Sequence, residues 1–336
     1  MSGKRPVASS RVQFGICAYP RLHVTLLDLC GDGYRRNGGV GFSVGAPRTR
    51  MEFITSEKTD VSVLASVGFS ESEISKLSVR LDTIMTTLHF DLGIKILECN
   101  GLLRHVGFGS GTATTLACIE ALLTANEHPI EKVELQRLSG RGGASGVGIN
   151  TYFEGGLSFD AGRAEDGTRF LPSGAAYERC PLPIVLTAAP MPSWDIGLLI
   201  LGDVGSPSAA VEQRLFDITC PLSRQDVYEV IYHATFGLVA SVLTEDFESF
   251  CASINAIQGC VWKRAEINAY GQKIVSLINQ LRRLGCDAVG LSSLGPAVYF
   301  FSSDFEQVFG KIRMKFPNSR LIRTQPRNQG RETVIV

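Results

Sequence analysis

VGFGSGTATTLACIEALL, residues Val106–Leu123, sets Gly107, Gly109 and Gly111 at alternate positions, follows them with Thr112 and runs on into an apolar helix pattern. Glycines so spaced let backbone N–H groups curl toward an anion, and the helix that follows directs its positive dipole end at the same point. The spacing is neither GxxxxGK[ST] nor GxGxxG, so there is no Walker lysine and no Rossmann fingerprint. Taken alone, the stretch is explained equally well as a tight strand-to-helix turn whose small residues permit close packing. Ser110 and Thr112 favour the phosphate reading, because hydroxyls beside free backbone donors suit phosphate oxygens.

Upstream, short strand candidates alternate with turn residues: QFGICAYP, RLHVTLLDL, GVGFSV, RMEFITS and VSVLASV. Together they predict a mostly antiparallel sheet. Ile74, Leu77, Leu81, Ile84, Met85 and Leu88 recur at helical spacing, so a helix is expected over 70–88 with Ser70 or Ser72 as N-cap, and IKILECN follows as a strand. The quoted stretch supplies a helix from about Thr112 to Ala125, and Pro129 opens another that stops at Gly140. Next come a second glycine cluster, SGRGGASGVG (Ser139–Gly148), and NTYFEGGLSFDAG, which reads as a hairpin. Residues 164–193 are proline-rich and poorly periodic, which places a domain boundary there and divides the chain into 1–180 and 181–336. Beyond it, IGLLILG (Ile196–Gly202) is a buried strand and helices are expected at 223–243, 245–257 and 267–284. LSSLGPAVYFFSS (Leu291–Ser303) is a glycine turn feeding a strand, and a helix from Asp304 leads to two terminal strands.

A chain of 336 residues exceeds one comfortable hydrophobic core, so two domains are expected. With 44% hydrophobic and 20% charged residues, and 33 basic side chains against 33 acidic ones, nothing demands a nucleic acid or a membrane. Apolar runs stay far short of the roughly 20 residues that cross a bilayer. MSGKRPVASSR is followed by no apolar segment of the signal-peptide kind, so a cytoplasmic location is expected. Nine cysteines without a CxxC pair form no zinc framework and are read as reduced and mostly buried. Seven lysines and arginines between Lys311 and Arg331 fit a solvated helix face and edge strands better than a nucleic-acid patch.

Two further glycine sites accompany the first. In PRLHVTLLDLCGDGYRRNGGVGF (Pro20–Phe42), Arg21, His23 and Asp28 are followed by a loop with Arg35, Arg36, Asn37, Gly38 and Gly39. Arginine forks fit phosphate or carboxylate oxygens, and Asp28 suits a divalent cation or a sugar hydroxyl. A solvated hairpin turn with a surface arginine pair is the plainer alternative, and His23 alone is more readily a hydrogen-bonded structural histidine. The third site, Ser292-Ser293-Leu294-Gly295-Pro296, is by itself a simple turn into a strand.

In this order PRLH, GFGSGT and LSSLGP resemble the three motifs of the GHMP superfamily, named for galactokinase and the homoserine, mevalonate and phosphomevalonate kinases. The resemblance spans nearly the whole chain. It implies an α+β fold with an N-terminal domain like ribosomal protein S5 domain 2 and a C-terminal ferredoxin-like α/β sandwich. Within that superfamily the chain is similar to the β-ribofuranosylaminobenzene 5'-phosphate synthase family through RLHVTLLDL with its GGVG loop, GRGGASGVG, FLPS (Phe170–Ser173), CPL (Cys220–Leu222) and SSLGPAVY. GRGGASG discriminates, since the sugar and amino-acid kinases have no such signature there.

That resemblance implies condensation of 5-phosphoribosyl 1-diphosphate with 4-aminobenzoate or 4-hydroxybenzoate, with loss of diphosphate and carbon dioxide, on the way to tetrahydromethanopterin. It further implies Mg2+ and a homodimer. In this scheme Gly107, Gly109, Ser110, Gly111 and Thr112 cradle the diphosphate, and Arg35 neutralises it as it leaves. Asp28 binds magnesium or stabilises positive charge at ribose C1. Arg141 takes the 5-phosphate or the benzoate carboxylate. Arg21, His23, Gly38, Gly39, Gly142, Gly143, Ser145, Ser292, Ser293 and Gly295 complete the expected substrate- and phosphate-binding set. Two departures stand out: the family loop commonly ends Asp-Gly-Gly where this chain has Asn37, and Tyr34 and Arg36 make the loop bulkier and more basic. The rival expectations are an ATP-dependent GHMP small-molecule kinase and a non-catalytic relative that binds a phosphorylated metabolite.

Overall fold

The computed structural model describes residues 12–172 and 181–335. In the first half, strands β1 (Gln13–Ala18), β2 (Arg21–Asp28), β3 (Arg35–Ser43) and β4 (Thr49–Ser56) precede helix α1 (Glu71–Leu88) and strand β5 (Gly93–Asn100). Helices α2 (Ser110–Ala125), α3 (Lys132–Ser139) and α4 (Val147–Glu154) follow, then β6 (Leu157–Asp160), β7 (Arg163–Ala164) and β8 (Val185–Ala189). The rest of the chain holds β9 (Ile196–Ile200), α5 (Ala209–Thr219), α6 (Arg224–Tyr232), a π-helical turn (His233–Val239) and α7 (Ala240–Leu243). It continues with α8 (Phe247–Gly259), α9 (Val261–Asn268), α10 (Gln272–Arg283), β10 (Ala288–Leu291), β11 (Val298–Phe301), α11 (Phe305–Lys315), β12 (Arg320–Thr324) and β13 (Glu332–Ile335).

Three antiparallel sheets result, ordered β13-β1-β4-β5, β2-β3-β6-β8 and β10-β11-β9-β12. The first packs on α1 and α2. Ser70 caps α1 in a capping box, its hydroxyl accepting from Glu73 N while Glu73 accepts from Ser70 N (2.9 Å), and Leu77, Leu81 and Ile84 carry the buried stripe. Helix α2 is buried nearly all round and carries Glu120 into the core, where Tyr152 Oη donates to it (2.7 Å) and Arg331 pairs with it (2.7 Å). The second sheet shares one core with the C-terminal half: Leu22, Val24, Val40 and Phe42 meet Phe250, Ile254, Tyr299 and Phe301. The boundary expected at residue 180 falls beside 173–180, outside the described residues, as do Ser173 of the FLPS motif and Cys180. The chain crosses that position again, because β8 pairs with β6 and β13 with β1. The other eight cysteines are free thiols.

Local expectations were corrected in four places. VSVLASV forms a 3₁₀ helix, because Asp60 captures the Ser62 amide (3.1 Å) in a turn and Gly68, at φ +90°, closes it. NTYFE belongs to α4, whose buried face is Val147, Ile149, Thr151 and Tyr152; two glycines with positive φ then turn the chain into β6. The expected helix over 267–284 is divided at Gly271 (φ +60°) into α9 and α10. Helix α5, capped by Ser208, was not anticipated at all.

Candidate active site

Helix α2 begins at Ser110 with Gly109 (φ +73°) as an N-cap that offers no side chain, and its first helical bond runs from Ala113 N to Gly109 O (3.1 Å). The amides of Ser110, Gly111 and Thr112 precede that bond and are left as donors at the positive end of the helix. A Cβ on Gly107 (φ +93°) would lie 2.1 Å from the Ser292 carbonyl oxygen, and one on Gly295 would lie 2.1 Å from Gly107 N. The loop and the late turn therefore pack backbone on backbone, which only glycine permits. Ser292 Oγ donates to Gly107 O (2.8 Å) and accepts from His23 N (3.2 Å), while Ser293 N donates to His23 O (3.0 Å). Three motifs far apart in sequence thus meet at one place.

Two arginines stand at this helix end. Arg21, opening β2, donates from Nη1 to Gly107 O, and its Nε has no partner among the described residues. Burial lowers its pKa to about 10, so it stays charged at neutral pH. The Arg141 guanidinium passes 3.8 Å from where a Gly111 Cβ would stand, and it makes no hydrogen bond or ion pair among the described residues. Burial and the nearby Arg80 lower its pKa as well. A cation held out of water without a carboxylate partner is costly unless an anion joins it. His23 is buried, and burial together with Arg21 and Lys263 holds its pKa well below the usual range, so it is a neutral imidazole.

These groups form one side of a narrow cleft with an interior of about 50 Å³. Thr112, Gly142, Ala144, Ser145 and Gly148 also line it; Leu26, Glu212, Phe216, Trp262, Glu266 and Leu294 make a further wall, whose apolar members pack in one cluster. Behind the cleft, a Cβ on Gly39 would fall 2.5 Å from Ser145 Oγ and 2.8 Å from His23 Nε2, and one on Gly38 would fall 2.6 Å from Asp160 O. The GGVG strand and the GRGGASG loop are therefore pressed together. Asn37 Nδ2 donates to Gly143 O (2.7 Å), and Asp160 accepts from Ser145 Oγ (3.1 Å), Gly146 N (3.0 Å) and Gly162 N (3.0 Å). Burial pushes Asp160 up to about 7 despite those donors.

Of the expected site residues, Arg21, His23, Thr112, Arg141, Gly142, Ser145 and Ser293 line the cleft; Gly107, Gly109, Ser110, Gly111, Ser292 and Gly295 build its anion end. Gly38, Gly39 and Gly143 support it from behind. Asp28 and Arg35 are not among the residues that line it. Asp28 closes β2, seven residues beyond Arg21 and so roughly 20 Å along an extended strand. Its Oδ1 accepts from Cys30 N (3.2 Å) and Cys30 Sγ (2.9 Å). Arg35 donates to Gly162 O (2.6 Å) and Ala161 O (3.3 Å), tying β3 to the turn after β6. Arg36, which the plainer alternative put at the surface, is only 1% exposed; it pairs with Glu165 (2.9 Å) and Asp166 (2.8 Å) and lies 4.3 Å over the Phe170 ring. The loop's added bulk points inward, apart from the fully exposed Tyr34.

Sequence reasoning missed the whole far wall. Helix α5 presents Glu212 and Phe216, and α9 presents Trp262 and Glu266, each pair four residues apart and so on one helix face. That spacing was the available signal. It is a weak signal, because paired acidic and aromatic residues at helical spacing are as common on plain helix faces.

The glycine-capped helix end with its two arginines sits in a two-domain α+β frame of the GHMP fold. Homoserine kinase from Cytophaga hutchinsonii superposes with a TM-score of 0.68 at 16% identity, covering 99% of this chain and 100% of that one. Mevalonate diphosphate decarboxylase from Staphylococcus aureus gives 0.64 at 14% identity, covering 96% and 98%. No protein-family model matches the chain. Among curated sequences, β-ribofuranosylphenol 5'-phosphate synthase of Methanothermobacter thermautotrophicus is 31% identical over 316 residues, 92% of this chain and 95% of that protein. The protein of the same name from Archaeoglobus fulgidus is 28% identical over 321 residues, 94% and 97% respectively. The chain belongs to the β-ribofuranosylphenol 5'-phosphate synthase family and is an enzyme.

Proposed function

We propose that the enzyme condenses phosphoribosyl diphosphate with 4-hydroxybenzoate, or 4-aminobenzoate, releasing diphosphate and carbon dioxide and joining ribose C1 to the ring carbon that bore the carboxylate. The name of the relatives, β-ribofuranosylphenol 5'-phosphate synthase, favours the phenol over the aniline product. The observation that carries the reading is the pairing, in one cleft, of an uncapped helix end flanked by Arg21 and Arg141 with a wall containing Phe216 and Trp262. The first suits a phosphorylated sugar and a carboxylate, and the second suits an aromatic ring.

In this mechanism the amides of Ser110, Gly111 and Thr112 and the Arg21 guanidinium take the negative charge that builds on the diphosphate as its bond to C1 breaks. Arg141 holds the benzoate carboxylate or the 5-phosphate. The apolar side chains of Leu26, Phe216, Trp262 and Leu294 limit the water that could capture C1 at the positive centre. Among the described residues no group of three or more His, Cys, Asp or Glu side chains gathers as a metal site. The Ser110 and Thr112 hydroxyls at the helix end would hold a magnesium ion that arrives with the diphosphate. There it would supply charge neutralisation of the leaving group. The same reading makes the chain a homodimer acting in the cytoplasm at the step committed to tetrahydromethanopterin. Among the described residues no helix is long and apolar enough to cross a membrane.

Incubating the protein with magnesium, phosphoribosyl diphosphate and carboxyl-labelled 4-hydroxybenzoate tests this directly. Labelled carbon dioxide released in step with diphosphate is the expected result. ATP-dependent phosphorylation of an alcohol, with no carbon dioxide, overturns it in favour of a kinase.

A further inference from the structure

The two carboxylates of the far wall are not equivalent. Glu266 accepts from Lys263 Nζ (2.6 Å), with both groups buried, and so already has a lysine partner. The Glu212 carboxylate makes no hydrogen bond or ion pair among the described residues. Its i+4 neighbour Phe216 packs on Trp262, ring centroids 4.6 Å apart, and the buried Trp262 Nε1–H likewise has no acceptor. One wall thus offers an aromatic surface, an unused acceptor and an unused donor. The opposite side offers guanidinium groups and helix amides.

Resting on the synthase reading, we propose that Glu212 is the proton acceptor for the hydroxyl of the benzoate substrate. The carboxylated ring carbon must meet ribose C1 beside the phosphate loop, which turns the para substituent toward the acidic wall. As the C–C bond to C1 forms and the C1–O bond to diphosphate breaks, the hydroxyl's O–H electron pair becomes a C=O bond and its proton passes to Glu212. The ring is then a cyclohexadienone bearing the carboxylate on a tetrahedral carbon. Cleavage of the C–CO₂ bond returns an electron pair to the ring, and the oxygen recovers the proton from Glu212, so no proton is consumed. 4-Aminobenzoate pushes with a nitrogen lone pair and needs no proton removed first, so it depends far less on this base.

Facing Glu212 are Glu266 on α9 and Tyr270, which donates to Leu294 O (3.0 Å), with Lys263 and Arg21 beyond Glu266. Burial and the Glu266 charge raise the Glu212 carboxyl to about 7, which matches a base working near neutral pH. The ionised form is the acceptor, so turnover of 4-hydroxybenzoate rises with pH through about 7.

The test is E212Q assayed with both benzoates over pH 5.5–8.5, with phosphoribosyl diphosphate binding followed by calorimetry in the presence of magnesium. A general base contributes roughly 10²–10⁴-fold. The expected result is a fall of about that size in kcat/KM with 4-hydroxybenzoate and loss of the rise near pH 7. The loss with 4-aminobenzoate should be at least tenfold smaller on that scale, and donor affinity should be unchanged. Equal losses with both benzoates, an undiminished hydroxybenzoate rate, weakened donor binding or a raised magnesium requirement each overturn the assignment. If the wild-type protein releases carbon dioxide from neither benzoate, it is the synthase reading that fails.

Discussion

Replacing Arg141 by methionine separates catalysis from folding. The guanidinium has no protein partner among the described residues, and burial together with Arg80 already disfavours its charge. Methionine keeps much of the apolar stem and removes the charge, so the folded state loses a liability rather than a contact. The ligand loses two forked, charge-assisted hydrogen bonds. At about 1.5–3 kcal/mol for each hydrogen bond to a charged group, the combined loss is roughly 3–6 kcal/mol. At 1.4 kcal/mol per decade that is a fall in kcat/KM of about 10²–10⁴-fold. Release of labelled carbon dioxide measures the first quantity, and the urea midpoint at constant m measures the second. We expect the large kinetic loss with a midpoint equal to or above that of the wild type. A wild-type kcat/KM, or a midpoint that drops with the activity, refutes the reasoning.

Three further substitutions probe the frame. Gly107→Ala puts a methyl group into the Ser292 carbonyl at a positive φ, so it should cost more than about 1 kcal/mol and weaken phosphoribosyl diphosphate binding; unchanged calorimetric affinity counts against the loop geometry. Arg331→Met leaves Glu120, buried in the core, with only the Tyr152 hydroxyl, a loss of about 3–5 kcal/mol by urea unfolding; a change under about 1 kcal/mol contradicts the pairing. Asp160 has its folded pKa raised to about 7, so between its ordinary value near 4 and 7 the native state holds a proton that the unfolded chain releases. Stability therefore falls as pH rises through that window. D160N should flatten the decline, and an identical slope in the variant removes Asp160 as its source.

What could be read from the chain was what local chemistry dictates. The strands of the first sheet, the capped helix at Ser70 and the glycine turn into α2 carry their own turn residues, caps and periodicity, and they formed where expected. The meeting of Gly107 with Gly295 was legible only as an order of motifs, because nothing local to either shows that their backbones touch. Asp28 and Arg35 looked functional because their residue types suit metal and phosphate; in the fold, strand length carries Asp28 away from Arg21, and Arg35 serves two backbone carbonyls. The reverse holds for Glu212 and Trp262, ordinary residues on helix faces that become part of a site only when α5 and α9 are packed together. Arg36 makes the same point for burial: its surroundings are set by Glu165, Asp166 and Phe170, some 130 residues downstream.

The backbone-on-backbone seam between Gly107 and the Ser292–Gly295 turn has a consequence for dissection of the enzyme. The N-terminal portion expressed by itself would carry every glycine of the anion loop yet lack the peptide that holds it in shape. Neither piece of a chain severed between β8 and β9 is then an autonomous sugar-phosphate binder, and recognition should return only on complementation, when the late turn docks again.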